Sequence, residues 1–309
     1  MPKIEPKKTP LKVESSAAPA PKVEPTIEPA EPQPPRVTAL IVSYNSVAAL
    51  RLCVQAVDET PDVEVLVVDL GSQDGSARID AEFPAVTVLR LPKHFGATKA
   101  MNIATRTSGA DFILYLDPNA VMAPGTVLGL ADVLDANADV IAAAPFLKPE
   151  PQVYRLPDSA ALSVACESGS LTPVAIDVGL ELAPVEFASR CALMVRKDFI
   201  RGMNYFDERY GHAWPELELA WQIKNAQRKT VVATRLGAEW HSPEPQESGT
   251  ATAVDRYNSA AAYLGKHKGF AAGLGFRLSA VLKALFSFRF GVMIGLISGS
   301  KIDGDQASL

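Results

Sequence analysis

Short apolar runs that alternate with stretches of helical periodicity between residues 37 and 116 constrain the fold of this chain more than any other feature. The runs at 37–42 and 63–68 are rich in valine, leucine and isoleucine, and each ends in polar, turn-forming residues. Runs of this length and composition predict strands buried in a parallel sheet. Further strands are predicted at 86–91 and 111–116, and helices at 47–57 and 97–107. This alternation predicts an α/β fold, with a mostly parallel sheet and helices on both faces.

The pattern is weaker after residue 137. Apolar runs at 140–144, 173–178 and 185–196 indicate strands, among loops that contain proline. A helix is predicted at 197–201, another from Pro215 to about Arg228, and a last strand at 231–234. These elements are expected to extend the sheet into a mixed one.

Composition divides the chain into three parts. Residues 1–36 contain ten prolines and no aromatic residue, so they bury too little apolar area to offset the entropy cost of ordering. We predict a disordered, proline-rich tail at 1–36, a folded domain at 37–245 and a C-terminal helical segment at 246–309.

Charge and cysteine content exclude several classes of protein. The net charge of −5 argues against a nucleic-acid partner, because nucleic-acid-binding domains present a concentrated basic surface. The three cysteines are far apart, so free thiols in a reducing compartment are expected. The N-terminal residues lack the pattern of a signal peptide, and no uncharged apolar run approaches the roughly 20 residues that span a bilayer. A cytoplasmic protein is therefore expected.

The segment at 270–298 is largely apolar but contains Arg277, Lys283 and Arg289. These basic residues fall about 120° apart on a helical wheel, so they do not form the polar face of a single interfacial helix. Two shorter helices with a break near Gly291 are predicted instead. Two alternatives stay open: packing on the main domain, or contact with a partner or with the inner face of the cell membrane.

Polar clusters follow the predicted strands at 37–42, 63–68 and 111–116. In parallel α/β sheets, ligands bind beyond the carboxyl ends of the strands. All three clusters are expected at that edge, which indicates a binding site without naming its ligand.

Several short motifs occur in the order seen in family 2 glycosyltransferases of the GT-A, Rossmann-like fold. They are 41–46 (IVSYNS), 67–76 (VVDLGSQDGS), Gly96 with Asn102, 116–119 (LDPN), 206–209 (FDER), Glu216 with Glu218, Trp221, and Trp240 with His241. Over residues 37–242 the chain resembles this family, and within it the rhamnosyltransferase-like members. The resemblance implies transfer of a sugar from a nucleotide-diphosphate donor to a glycan or lipid-linked acceptor, with inversion, in surface polysaccharide synthesis.

The resemblance also implies which residues contact the donor. Tyr44 and Asp69 match positions that contact the base. Loop packing of Tyr44, turn formation by Asp69 and a solvated helix position for Lys99 are the structural alternatives. Turn formation also explains Asp74 with Gly75. The full nucleotide-sugar-binding set implied by the resemblance is Ser43, Tyr44, Asn45, Asp69, Lys99, Asp117, Asn119 and Glu218.

A divalent cation usually holds the diphosphate of such a donor, and Mg²⁺ or Mn²⁺ takes oxygen ligands. The resemblance implies a cation at Asp117, Asn119 and His241. Asn119 stands where the family commonly has an aspartate, and it offers an amide oxygen without formal charge. Asp117 and Asn119 also reverse the order found in many rhamnosyltransferase-like relatives. A structural role for His241 stays open.

An inverting transferase needs a base to activate the acceptor hydroxyl. The family uses the aspartate of a Glu-Asp pair at a helix start, and here Pro215-Glu216 stands at that position. The resemblance implies that Glu216 is the base, while a carboxylate in a first helical turn also suits the helix dipole without any catalytic role. Because Asn119 and Pro215-Glu216 both depart from the family pattern, a non-catalytic relative that binds a glycan, a nucleotide sugar or a partner protein is the alternative. A nucleotidyltransferase is disfavoured, since no glycine-rich signature with a basic residue follows the first strand.

Overall fold

The structure is a computed structural model that describes residues 34–150, 152–241 and 249–300, together with Pro2. The predicted tail at 1–36 lies outside the described residues except for Pro2 and residues 34–36. Of the latter, Arg36 forms ion pairs with Asp132 and Asp135 at 2.7 and 2.6 Å.

Eleven strands and nine α-helices form the described part of the chain. The strands are β1 (Val37–Ser43), β2 (Val63–Asp69), β3 (Thr87–Arg90), β4 (Phe112–Leu116), β5 (Ala120–Met122), β6 (Val140–Lys148), β7 (Val153–Tyr154), β8 (Leu182–Val185), β9 (Phe187–Ala188), β10 (Ala192–Arg196) and β11 (Lys229–Trp240). The helices are α1 (Val47–Gln55), α2 (Ala97–Thr107), α3 (Thr126–Ala136), α4 (Ser159–Ser168), α5 (Lys197–Gly202), α6 (Glu216–Asn225), α7 (Thr250–His267), α8 (Phe270–Phe286) and α9 (Phe290–Ser298), with a 3₁₀ helix at Ser76–Ala81.

The main sheet has the strand order β3-β2-β1-β4-β10-β6-β11-β5, with β8 paired to β11. Strands β3, β2, β1, β4, β6 and β11 share one direction, while β10, β5 and β8 run against it. The predicted mixed, mostly parallel sheet is therefore confirmed. Because β10 is antiparallel to β4 and Ala192 pairs with Leu116, the residues just before β10 lie at the carboxyl edge of the parallel strands.

Alternate residues of the strands pack into two apolar cores, one on each face of the sheet. Ala39 and Ile41 of β1 pack in the core that holds α1 and α3, and Leu40 packs in the core that holds α2 and α6. This alternation follows from the two-residue period of a strand. The prediction of helices on both faces is confirmed.

A third core joins the C-terminal helices to the rest of the fold. It contains buried residues of α4, α6, α7, α8 and α9. Helix α7 is central to this core, with Tyr257, Ala260, Tyr263 and Leu264 all buried. Among the helices that the structure describes, none is both long and apolar enough to cross a membrane.

The structure differs from the sequence-based prediction in three details. Residues 173–178 form no strand, since Pro173 leads into a loop in which Val174 makes one backbone bond to Val153. The run at 185–196 is divided among β8, β9 and β10, and β11 is far longer than predicted. Two helices with a break near Gly291 are confirmed, because α8 ends at Phe286 and α9 begins at Phe290.

Candidate functional site

The loops that follow β1 and β2 are locked together at the carboxyl edge of the sheet. The Asn45 backbone N–H donates to Ser72 Oγ at 2.9 Å, and the Gln73 N–H donates to Asn45 Oδ1 at 2.8 Å. Asp74 caps α1 from the opposite loop by accepting from the Val47 N–H at 2.8 Å. Asn45 has φ +45°, a left-handed conformation that asparagine tolerates better than most residues. The two loops therefore form one preorganised surface.

Asp69 ends β2 beneath this surface and is 1% exposed. Its Oδ2 accepts from the N–H groups of Gly71 and Ser72, both at 3.0 Å, while its buried Oδ1 has no hydrogen-bond partner. A buried carboxylate oxygen without a donor is costly and calls for an explanation. Ser43, the register partner of Asp69, is buried and shares a hydrogen bond with Ser46 at 2.9 Å.

A row of rings leads from Tyr44 across the sheet edge. The Tyr44 ring meets His94 edge-on at a centroid distance of 4.9 Å, and His94 lies 5.8 Å from His212. Burial lowers the pKa of His94 to about 4, and its Nδ1 accepts from the Gly96 N–H at 3.1 Å. Burial, together with the nearby Arg190, lowers the pKa of His212 to about 3. Both rings are therefore neutral near pH 7.

Glu216 starts α6 at the far end of this row. Its side chain is 6% exposed, and Oε2 lies 3.6 Å from Arg190 Nε without a hydrogen-bond partner. Arg190 Nη2 also lies 3.5 Å from His212 Nε2. Burial raises the pKa of Glu216, and the Arg190 cation opposes that rise. Trp214, two residues earlier, holds φ +52°, a strained conformation for a bulky residue, as seen near functional sites.

The four residues Tyr44, Asp69, Asp117 and Glu216 share this edge of the sheet. Tyr44 is connected to Glu216 by a chain of contacts through His94, His212 and Arg190. The Asp117 N–H donates to the Cys191 carbonyl at 3.0 Å, which places Asp117 beside the residue that follows Arg190. Asp117 and Arg190 come close because β10 is antiparallel, so its first residues lie at the edge where β1, β2 and β4 end.

The three predicted metal ligands are neighbours. Asp117 Oδ1 accepts from the Asn119 N–H and from Asn119 Nδ2 at 2.9 and 2.8 Å. The pairing of β5 with β11 brings the His241 N–H to the Asn119 carbonyl at 3.0 Å, and the His241 side chain is 61% exposed.

The chemistry of these three ligands suits a cation that a diphosphate helps to hold. In the described part of the chain, Asp117 Oδ2 receives no hydrogen bond, so a carboxylate oxygen, an amide oxygen and an imidazole are available. No cluster of three or more His, Cys, Asp or Glu side chains with metal-binding geometry occurs within the described residues. The three ligands carry little negative charge, and phosphate oxygens would supply the rest.

Lys99 and Glu218 make their contacts with other residues. Lys99 is exposed on α2, with Nζ 4.7 Å from the centroid of the Phe95 ring. Glu218 is buried against α7, where it accepts from Lys266 Nζ at 3.0 Å and lies 2.7 Å from His267 Nε2. Contact of these two residues with a donor stays a prediction, and for Glu218 both carboxylate oxygens are already engaged by protein groups.

Sequence reasoning missed the residues that support the site from a distance. Asp255 of α7 is 3% exposed, and its Oδ2 accepts from the N–H groups of His212 and Ala213 at 2.9 and 2.8 Å. A Cβ on Gly211 would lie 1.8 Å from Asp255 Oδ1, so only glycine fits there. No local motif marks His94, Arg190, His212 or Asp255, whose roles arise only from packing.

Known structures share this architecture. A mannosyltransferase from Pyrobaculum calidifontis, solved with GDP-Man and Mn²⁺, aligns with a TM-score of 0.53 and 15% identity over 87% of this chain and 84% of that one. TarS from S. aureus in complex with UDP-GlcNAc aligns with a TM-score of 0.51 and 15% identity, over 74% and 66% of the two chains. GalNAc-T7 with UDP, GalNAc and Mn²⁺ gives a TM-score of 0.56 and 11% identity, over 76% and 48%. These likenesses confirm the predicted GT-A fold.

Sequence comparison points the same way. A curated protein of Sinorhizobium fredii named N-acetylglucosaminyltransferase is 32% identical over 107 residues, which are 32% of this chain and 26% of that protein. The match thus spans about a quarter of the length of the curated relative. The sequence pattern that defines "Glycosyl transferase family 2" matches residues 38–200, more than half of the chain. The chain therefore belongs to glycosyl transferase family 2.

Proposed function

We propose that this protein transfers a sugar, with inversion, from a nucleotide-diphosphate donor to a hydroxyl of a glycan or lipid-linked acceptor in surface polysaccharide synthesis. The observation that carries the proposal is the buried, unpartnered Oε2 of Glu216 on the same sheet edge as the unpartnered Oδ1 of Asp69. Glu216 Oε2 is suited to take the proton of the acceptor hydroxyl. Asp69 Oδ1 is suited to accept a hydrogen bond from the nucleotide-sugar donor.

In this proposal the donor's base lies over the locked loops after β1 and β2. The Tyr44 ring offers a flat contact, and Asp69 Oδ1 accepts an N–H of the base. Ser43 and Asn45 fix the loop through their bonds to Ser46 and Gln73. The rhamnosyl-type sugar that the motif order suggests stays a prediction, as does any other particular sugar.

Asp117, Asn119 and His241 are proposed to hold a Mg²⁺ or Mn²⁺ ion beside the diphosphate. Mn²⁺ appears with nucleotide or donor in two of the similar structures, GalNAc-T7 and the P. calidifontis mannosyltransferase. Such an ion, when bound, neutralises charge on the leaving diphosphate.

Glu216 is proposed to remove the proton from the acceptor hydroxyl. The acceptor oxygen then attacks the anomeric carbon from the face opposite the diphosphate, and the bond from that carbon to the phosphate oxygen breaks. The result is an inverted glycosidic linkage and a released nucleoside diphosphate. Arg190, 3.6 Å from Glu216, helps keep the carboxylate ionised for this step.

The test compares wild type with Glu216→Gln on a panel of UDP-, GDP- and dTDP-sugars, with and without Mn²⁺. Wild type is expected to gain thermal stability with one donor class and to release its nucleoside diphosphate when an acceptor is added. Glu216→Gln is expected to keep donor binding and to lose roughly 10²–10⁴-fold in turnover, the usual contribution of a general base. Glu59→Gln, at an exposed position, is the matched control and keeps full turnover.

Two outcomes would redirect the proposal. Unchanged turnover in Glu216→Gln removes Glu216 from the mechanism. Stabilisation of wild type by a donor without transfer under any cation favours the second candidate, a nucleotide-sugar-binding relative. That candidate is motivated by Asn119 and by Pro215-Glu216, which differ from the pattern of the family.

A cytoplasmic location, with peripheral contact at the inner face of the cell membrane through residues 270–298, is part of the proposal. It would bring the site close to lipid-linked acceptors.

A further inference from the structure

The exposed apolar side chains of this protein are concentrated in one place. Ten of the fourteen large hydrophobic side chains that are exposed in the described residues lie between Phe270 and Ile297, on α8, α9 and the turn that joins them. We name this surface the α8–α9 apolar face. Concentration of this kind marks an interaction surface, because single exposed apolar residues are ordinary and contiguous patches are not.

Helix α8 has two apolar sides, and only one of them is covered. Phe276, Ala280 and Ala284 are buried against the rest of the third core. Gly273 permits the close crossing with α7, since a Cβ there would lie 2.6 Å from the Ala261 carbonyl oxygen.

The outer side of α8 is a stripe of leucines. These are Leu274, Leu278, Leu282 and Leu285, which are 41–55% exposed. Their spacing of four, four and three residues places them on one helical face. The stripe points away from α7 because the opposite side of α8 is packed on it.

Helix α9 and the turn add further exposed apolar side chains. Gly295 allows α9 to pack closely on α7, because a Cβ at this position would lie 2.6 Å from Val254 Cγ2. Ile294 and Ile297 remain 60% and 66% exposed, and Phe286 at the end of α8 and Phe288 in the turn are 78% and 80% exposed. Protruding aromatic and aliphatic groups of this kind are what interfacial helices insert into the boundary between headgroups and acyl chains.

The charged residues of the segment 268–300 all have the same sign. From residue 268 to residue 300 the sequence contains Lys268, Arg277, Lys283 and Arg289 and no aspartate or glutamate, in a chain of net charge −5. Lys283 and Arg289 keep 51% and 42% of their side chains exposed while they pair with Glu167 of α4 at 3.2 and 3.3 Å. Basic groups therefore border the apolar face, and the local charge is opposite to that of the protein as a whole.

We propose that the α8–α9 apolar face binds the surface of a bilayer that contains anionic phospholipids. Exposed apolar side chains on a segment whose own charged residues are all basic match the acyl chains and the anionic headgroups of such a bilayer. A second copy of this chain fits less well, because a two-fold contact would pair two segments whose own charged residues are all basic, while the nearby Glu167 is already engaged by Lys283 and Arg289. The proposal extends the proposed function by placing the sugar-transfer site beside a membrane.

The test is co-sedimentation of the full chain with vesicles of phosphatidylcholine and phosphatidylglycerol, compared with vesicles of phosphatidylcholine alone. Wild type is expected to bind the anionic vesicles more tightly, and high salt is expected to weaken that binding. The double variant Leu278→Glu/Leu282→Glu is expected to lose at least about tenfold in partitioning, since two charges replace two inserted side chains. Leu52→Glu, at a 52% exposed position on α1, is the matched control and binds like wild type.

The outcomes separate this proposal from its rivals. Failure of wild type to bind anionic vesicles overturns it, and so does equal binding by the double variant. If the double variant instead converts a dimer to a monomer in sedimentation velocity, with no vesicle binding by wild type, the face joins two copies of the chain. Thermal unfolding at the wild-type midpoint shows that the variant is folded. The vesicle assay contains no donor, so its result and that of the transfer assay are independent.

Discussion

Single carboxylates decide the chemistry of the candidate site. Asp69 and Glu216 each keep one buried oxygen without a hydrogen-bond partner, at positions where a fold optimised only for stability would supply one. The cost of such groups is tolerated where a ligand completes them. The Glu216 carboxylate is balanced between burial, which raises its pKa, and Arg190, which opposes that rise. Arg190 therefore extends toward lower pH the range in which Glu216 can accept a proton.

Arg190→Gln is expected to move the acidic limb of the pH–kcat profile to higher pH. The base acts when deprotonated, and removal of a cation 3.6 Å away raises the pKa of Glu216 further, so a higher pH is needed to ionise it. A shift of about one pH unit is expected for the loss of such a neighbour. Arg51→Gln, which removes only a surface ion pair with Glu82, leaves the profile unchanged. An acidic limb that stays in place in Arg190→Gln would contradict this role.

Elements from opposite ends of the chain build the loop that presents Glu216. The loop at 211–215 contains the strained Trp214 and precedes α6, and Asp255 of α7 accepts two of its backbone N–H groups. The same loop meets α2, because the Thr98 N–H donates to the Gly211 carbonyl at 3.1 Å. Helix α7 is therefore part of the support of the site.

Asp255→Ala is expected to reduce kcat about tenfold or more, since two backbone N–H groups of the loop lose the one oxygen that accepts from both, and small misplacements of catalytic groups are costly. Asp255→Asn retains one amide oxygen for the same two N–H groups and is expected to keep most of the activity. Steady-state kinetics with the accepted donor checks both variants, and donor binding serves as the second measurement. Equal loss of kcat in the two variants would mean that the charge of Asp255 matters rather than its hydrogen bonds.

At the scale of the whole molecule, Glu218 connects the C-terminal helices to the sheet domain. Its carboxylate receives hydrogen bonds from Gln222 and Lys266 and faces His267, which stacks on Trp221 at 4.1 Å. Burial raises the pKa of Glu218, but these bonds outweigh burial and leave the pKa lowered. A carboxylate stabilised in this way joins α6 to α7.

Glu218→Gln is expected to lower the free energy of unfolding by about 2 kcal/mol. The contact between Glu218 and His267 is 2% exposed on both sides, and removing a carboxylate from a buried hydrogen-bonded cluster is costly, although the 34% exposure of Lys266 reduces the loss. Glu82→Gln, which breaks the exposed pair with Arg51, is the control and is expected to leave the unfolding midpoint unchanged. Chemical denaturation measures both. Equal midpoints for Glu218→Gln and wild type would mean that this cluster does not stabilise the fold.

Local sequence pattern determined the sheet, the helices on its two faces and the family. The periods of two and 3.6 residues depend only on near neighbours, so they can be identified in the sequence itself. The order of the motifs and its resemblance to family 2 glycosyltransferases indicated Tyr44, Asp69, Asp117 and Glu216 as residues of one site. The basic residues of 270–298 indicated no interfacial helix, and only the packing of α8 on α7 showed which apolar side remains exposed.

The support of the site was decided by tertiary structure alone. Asp255 lies 43 residues from His212, and His267 lies 49 residues from Glu218. Contacts over such separations leave no periodic trace in the sequence, because they depend on how whole elements pack. For the same reason the antiparallel β10, which brings Arg190 to Glu216, could not be inferred from an apolar run whose direction the sequence does not record.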